Sequence, residues 1–320
     1  MTRRQGDGFI GTYGTCIALV VLFAAFAASA PNFLAPANLL NILRQASFLA
    51  MLATGFTLAL VVAELDLSFA NACSLAAVCM GALLDRGAAP WIAVAIPLAV
   101  GLAIGAANGA AVTRLRIPSL IATLATGTMA NGAAFLITGG IAYVKRPPEA
   151  VLALGRSVVL GMPVLVLWMA GVALLAQFVV RGTRLGAHMI ATGEAEDAAR
   201  LAGIDVAAMK RLGLLLSGAL AGLTAVVLVG ALGTAAPTIA YDFLMRAIAA
   251  VLIGMTTIEP GRPNVPGTLV GVMMIGCLTN GLVLLGAEYY VQDIVLGAII
   301  LVSVGLSASR LRRAAFGLHK

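Results

Sequence analysis

Long apolar runs broken by isolated charges set the architecture of this chain. The stretches free of Asp, Glu, Lys and Arg are 8–43, 45–63, 67–84, 87–113, 117–144, 157–180, 212–241, 247–258, 263–287 and 294–309. A helix needs roughly 20 mostly apolar residues to cross bilayer hydrocarbon. Each run holds one such helix when its flanks contribute, which predicts about ten spans within a range of roughly eight to eleven. Two runs are marginal. The 247–258 run is short unless Asp242 and Arg246 belong to the same helix, and 67–84 opens beside an acidic residue, as a tilted or partial span would. The expected fold is therefore an all-α polytopic membrane protein, with 1–320 as a single transmembrane domain.

Composition agrees with the pattern. The chain is 61% hydrophobic and only 10% charged, with a mean hydropathy of +1.05. Soluble domains carry about 25% charged residues, and disordered chains combine low hydrophobicity with high net charge. Neither class fits. With the N-terminus placed in the cytoplasm, the 20 Lys and Arg residues divide 14 to 6 in favour of the cytoplasmic side. Positive charge collects on that side of membrane proteins, so both termini are expected there and the span count is even. The net charge of +7 is topological, and no basic stripe of the kind that binds nucleic acid is present. The first run follows Arg3 and Arg4 and ends near Ala28-Ser29-Ala30, like a signal peptide. It exceeds the 7–15 residues of a signal h-region, so a retained first span is expected.

Catalytic chemistry is thin. Cys16, Cys73, Cys79 and Cys277 lie in apolar runs without a CxxC spacing and read as small packing residues, with no metal site implied. His188 and His319 both fall in expected cytoplasmic segments. No GxxxxGK[ST] loop is present, so the chain is not itself a P-loop ATPase. An intramembrane enzyme would have carboxylates alone to work with. Glycine and alanine runs such as Gly101–Gly105 and Gly218–Gly222 suit close helix packing.

Polar residues inside such a chain need a reason. Glu64, Asp66 and Ser68 end one span, Asn71 and Asn131 lie in two others, and Asn108-Gly109 and Asn280-Gly281 recur about half a chain apart. These are the candidates for a solute path or gate: Glu64, Asp66, Ser68, Asn71, Asn108, Asn131 and Asn280. The paired Asn-Gly sites also suit an internal repeat. Asp242 and Arg246, one helical turn apart, are placed to form an ion pair or to meet a partner or solute.

The longest charged stretch, 181–211, is the most informative. Thr192 or Gly193 is placed to cap a helix at about 194–202 with Glu194, Glu196 and Asp197 in its first turn. Acids there complement the helix dipole, and Gly203 suits the C′ position. Small residues beside acids form a docking surface.

This segment resembles the coupling motif of permease subunits in bacterial ATP-binding-cassette (ABC) importers: an acid, two alanines and a glycine. Here it reads Asp197-Ala198-Ala199-Arg200-Leu201-Ala202-Gly203, with Asp for the usual Glu. Residues 38–309 resemble the ribose/xylose-type carbohydrate permeases in order: Asn38–Gln45, Leu65-Asp66-Leu67-Ser68, Asn108-Gly109, Leu115–Pro118, Thr123-Leu124, Thr138–Gly140, Ala247–Val251, Gly267–Gly271 and Asn280-Gly281. The pattern also departs from the family. Glu64 replaces a glycine, Ala70 another, and Leu244 and Arg246 stand where an acidic pair is usual. Glu259-Pro260-Gly261-Arg262-Pro263 replaces flexible glycines with a stiffer turn.

The resemblance implies a bacterial inner-membrane permease importing a small polar solute, a monosaccharide or polyol. The same architecture for branched-chain amino acids or nucleosides is the alternative, and an ion-driven secondary transporter a further one. It implies coupling through Gly193, Glu196, Asp197, Ala198, Ala199, Arg200, Gly203 and Ile204. Implied partners are a second permease copy or paralogue, a cytoplasmic ATPase, an extracytoplasmic solute-binding protein and membrane lipid. No cofactor is expected on this chain, and ATP and Mg belong to the ATPase.

Overall fold

In a computed structural model, residues 6–299 and 301 are described, with side chains from residue 14. Twelve helices run α1 (Gly6–Ser29), α2 (Pro36–Val61), α3 (Phe69–Asp85), α4 (Pro90–Thr113), α5 (Ser119–Thr138), α6 (Glu149–Arg156), α7 (Val164–Gly182), α8 (Arg184–Glu194), α9 (Glu196–Leu201), α10 (Val206–Leu232), α11 (Phe243–Gly254) and α12 (Val265–Leu284). A further helical run covers 289–299. Between α6 and α7 lies a small hairpin of β1 (Val158–Val159) and β2 (Met162–Pro163), antiparallel, pairing Val158 with Pro163 and Val159 with Met162.

Proline starts these helices and glycine ends them. Pro36 and Pro90 stand in the first turns of α2 and α4, and Pro118, Pro148 and Pro163 precede α5, α6 and α7. Proline's fixed φ suits a first turn, where its missing N–H is not needed. Gly139 and Gly233 close α5 and α10 at φ +61° and +76°, in the left-handed region that glycine enters without strain.

Among the described residues six helices, α2, α4, α5, α7, α10 and α12, are long and apolar enough to cross a membrane, and the apolar part of α1, with α3 and α11, is shorter. The chain is a multi-pass membrane protein. Nine of the ten uncharged runs hold one of these helices, and the last, 294–309, lies largely outside the described residues. The marginal 247–258 run resolves as α11, which contains Arg246 and begins after Asp242.

α2 is the axis of the bundle, buried from Ala46 to Val61 against α7, α10, α11 and α12. α4 crosses α10 where the two glycine runs meet. A Cβ on Gly101 would stand 2.2 Å from the Gly218 carbonyl, and one on Gly218 2.2 Å from the Gly101 carbonyl. Gly105 and Gly222 continue the seam against Leu214 and Pro97.

Candidate functional site

At one end of the bundle the 181–211 segment folds as two short helices. Thr183 caps α8 by accepting from Gly186 N–H (3.1 Å), and Asp205 caps α10 by accepting from Ala208 N–H (2.9 Å). The expected single helix at 194–202 is instead divided. α8 runs through Thr192 and Gly193, and the break falls at Ala195, φ −153° and ψ 85°. Packing overrides the local cap signal: a Cβ on Gly193 would lie 2.0 Å from the Val61 carbonyl, so the helix continues where it meets the end of α2. The acids Glu196 and Asp197 do open α9. Its end is a Schellman turn, as Gly203 suggests: Gly203 N–H donates to Arg200 (3.0 Å) and Ile204 N–H to Ala199 (3.0 Å), with Gly203 at φ +82°. Asp197, Ala198, Arg200 and Ala202 are exposed while Ala199 is buried. Leu201, which sequence reasoning passed over, is 91% exposed.

Ion pairs fasten this platform to the bundle. Lys210 Nζ lies 2.9 Å from Glu64 Oε1 and 2.9 Å from Glu196 Oε2, and Glu196 also takes Arg200. Arg262 pairs with Glu194 at 2.9 Å, and Arg181 with Glu259. Between them opens a cleft of ≈ 770 Å³, counting its mouth, lined by Val61, Arg181, Gly193, Glu194, Glu259 and Arg262. Sequence reasoning missed Lys210. Its partners stand 146 and 14 residues away, so no local spacing marks it.

Glu64 lies in a mostly buried unwound turn, 62–68, between α2 and α3. Its backbone is satisfied by α5: Leu65 N–H donates to Ser119 Oγ (3.1 Å), Leu67 N–H to Thr123 Oγ1 (3.0 Å), and the Thr123 hydroxyl to the Leu65 carbonyl (3.0 Å). Asp66 Oδ1 accepts from Ser68 N–H (2.9 Å) and the Ser68 hydroxyl (2.6 Å). Asn108 Nδ2 donates to Ser68 Oγ (2.8 Å), and Thr126 donates to Asn108 Oδ1 (2.5 Å). Asp66, Ser68 and Asn108 are thus brought together with Thr123 and Thr126. Asn71 and Asn131 are half-buried on α3 and α5, and their side chains make no hydrogen bond among the described residues. Asn280 lies elsewhere, in a reciprocal amide pair with Asn38 at 2.9 Å each way.

Asp66 is fully buried, and its Oδ2, like the Ser217 hydroxyl of α10, closes no hydrogen bond of ordinary geometry among the described residues.

At the opposite end, α2, α10, α11 and α12 surround a cavity of ≈ 830 Å³, counting its mouth, with Gln45, Phe48, Asp242, Phe243, Arg246 and Thr279 on its wall. The Phe48 and Phe243 rings stand 6.4 Å apart at 56°. The anticipated Asp242–Arg246 ion pair does not form among the described residues. Asp242 is exposed and Arg246 half-buried.

Residues 38–304 match the family described as branched-chain amino acid transport system / permease component. The ribose import permease protein RbsC of Bacillus subtilis (strain 168) is 33% identical over 309 residues, covering 96% of each chain. RbsC of Escherichia coli (strain K12) is 36% identical over 294 residues, covering 90% of this chain and 91% of the relative. The L-arabinose transport system permease protein AraH of the same strain is 30% identical over 292 residues, covering 91% and 89%.

Proposed function

Because the chain belongs to the branched-chain amino acid transport system / permease component family, we propose that it is the membrane subunit of a bacterial ABC importer for a monosaccharide or related polyol. The observation that carries this reading is a family match spanning 38–304, with full-length relatives described as ribose and arabinose permeases. The protein is a transport subunit. It sits in the inner membrane as about ten spans, both termini cytoplasmic, beside a second permease copy or paralogue. A solute-binding protein delivers cargo from outside. ATP and Mg are handled by a separate cytoplasmic ATPase.

That ATPase docks on α8 and α9. The exposed Asp197, Ala198, Leu201 and Ala202 form an acidic and apolar patch for it. Movement of the patch passes into the bundle by two routes. One is the Gly193–Val61 backbone contact, and the other the Lys210 bridge to Glu64. Both end on the unwound turn whose Asp66, Ser68 and Asn108 network joins α3, α4 and α5. Coupling of this kind needs an element with two arrangements whose balance the ATPase shifts. The broken α2–α3 connection is that element.

Gly203 supplies the test. A Cβ there meets nothing within 4 Å, so a Gly203→Trp side chain projects away from the bundle. Its left-handed backbone adds a local cost of roughly 1–2 kcal/mol. The variant is expected to reach the membrane at normal levels, to lose at least tenfold in solute uptake, and to retain less ATPase on co-purification. Normal uptake by this variant would overturn the docking assignment. Uptake that survives loss of the ATPase and collapses with an uncoupler would instead identify an ion-driven carrier.

A further inference from the structure

Three charges depart from the pattern of the carbohydrate permeases: Glu64, Glu259 and Arg246. The structure answers two of them. Glu64 is paired with Lys210 and Glu259 with Arg181. The Arg246 side chain has neither an ion pair nor a hydrogen bond among the described residues. It is half-buried on α11, an otherwise apolar helix, and lines the ≈ 830 Å³ cavity.

An arginine within a membrane helix is costly, and it is kept where it meets an opposite charge or a watery path. Asp242, one turn earlier, is exposed at the same cavity and does not neutralise it. The deeper charge on the wall is therefore positive. Around it stand an amide, a hydroxyl and a carboxylate (Gln45, Thr279, Asp242) beside the Phe48 and Phe243 rings. Small-molecule sites combine apolar walls with a few placed polar groups. This cavity has that make-up.

We propose that the cavity is a solute station inside each subunit, and that its ligand is a polyhydroxylated carboxylate, a sugar acid. Arg246 takes the carboxylate, for which guanidinium geometry offers two parallel hydrogen bonds. Gln45, Thr279 and Asp242 take hydroxyls, and the two rings flank the carbon chain. The proposal rests on the permease reading and narrows its substrate from sugars at large to the acidic ones. An anionic lipid headgroup shares the same chemistry, so the experiment separates the two.

The full chain is placed in nanodiscs of phosphatidylcholine, and its melting temperature is followed against D-gluconate, D-ribonate, D-ribose and acetate at constant ionic strength. Both sugar acids are expected to stabilise the protein in a saturable way, and D-ribose and acetate at least tenfold less effectively. Arg246→Gln should weaken the sugar-acid response at least tenfold relative to its own ligand-free baseline, and Arg246→Lys by less. If Arg246→Gln does not fold, Gln45→Ala and Thr279→Val carry the same comparison, each expected to weaken it severalfold. No response to either acid, an equal response to D-ribose, or an unchanged response in the variants overturns the proposal. So does a response that vanishes when phosphatidylglycerol is added, which would assign the site to lipid. Recovery of the ATPase with the chain is scored separately, so the permease reading and this site stand or fall on different measurements.

Discussion

Replacing Lys210 with methionine is expected to abolish most transport, by tenfold or more, in a protein that still reaches the membrane. Lys210 Nζ stands between two carboxylates, 2.9 Å from each, and Glu64 is only 5% exposed. Methionine fills a similar volume but leaves Glu64 without its cation and with Glu196 nearby. Removing one partner of a buried pair costs about 3–5 kcal/mol, because the remaining charge is stranded. The Lys210 and Glu196 side chains keep 20% and 17% exposure, which places the loss toward the lower figure. That energy is lost at the joint between the docking platform and the unwound turn. ATP hydrolysis by the assembled complex should therefore outlast solute movement. Adding Glu64→Gln to the Lys210→Met background removes the stranded charge and should restore much of the melting temperature. It leaves transport impaired, since no bridge is rebuilt. Equal transport in wild type and Lys210→Met would remove the bridge from the coupling route.

A Gly218→Leu substitution is expected to prevent the bundle from assembling. The Cβ alone would stand 2.2 Å from the Gly101 carbonyl and 2.9 Å from Gly105 Cα. Both are backbone atoms, so no side-chain rotation relieves them. Relief requires α4 and α10 to separate, opening the seam that also depends on Gly105 and Gly222. Overfilling a packed core costs about 1–3 kcal/mol and sometimes more, and here one added side chain disturbs a contact the length of two helical turns. In a membrane such seams are held by close packing, since lipid supplies no hydrophobic drive between helices. Gly218→Ala should already lower the melting temperature, and Gly218→Leu should leave little protein in the membrane fraction. Normal accumulation of the leucine variant would show that α4 and α10 are not in contact at this point.

The helices and the seam were legible because both depend on short-range rules. Uncharged runs mark helices, and small residues four apart mark close crossings. Gly203 likewise announced its turn, since a left-handed residue after an alanine-rich helix is a local requirement. Legibility failed where partners are distant in sequence. Lys210 looks like an ordinary cytoplasmic lysine until α2 is packed beside α10. Ser119 and Thr123 look like helix residues until the 62–68 turn needs their hydroxyls. Among the candidate path residues, Asp66, Ser68 and Asn108 converge, while Asn280 ties α12 to the start of α2 through Asn38. An isolated asparagine in a span says that a hydrogen bond exists and leaves its direction open. The helix start was expected at 194, capped by Thr192 or Gly193, whereas the break falls at Ala195, for a related reason: Gly193 serves the α2 contact, and a cap rule sees only its immediate neighbours.

The central helix α2 has one more consequence, for how the protein is made. Its apolar stretch of 18 residues has a mean hydropathy of 1.3, the lowest of the six long apolar helices among the described residues, against 2.3 for that of α10, although α2 is the most completely enclosed. A helix sheltered by protein has no need to satisfy lipid, so Ser47 and Thr57 can sit in it with their hydroxyls bonded to Leu43, Ala53 and Thr268. During synthesis that shelter does not yet exist, because α7, α10 and α12 emerge more than a hundred residues after α2 ends. Until they arrive, the segment that organises the bundle is the least apolar of the six long helices described. Stable insertion of α2 is therefore expected to wait on the later neighbours that close around it.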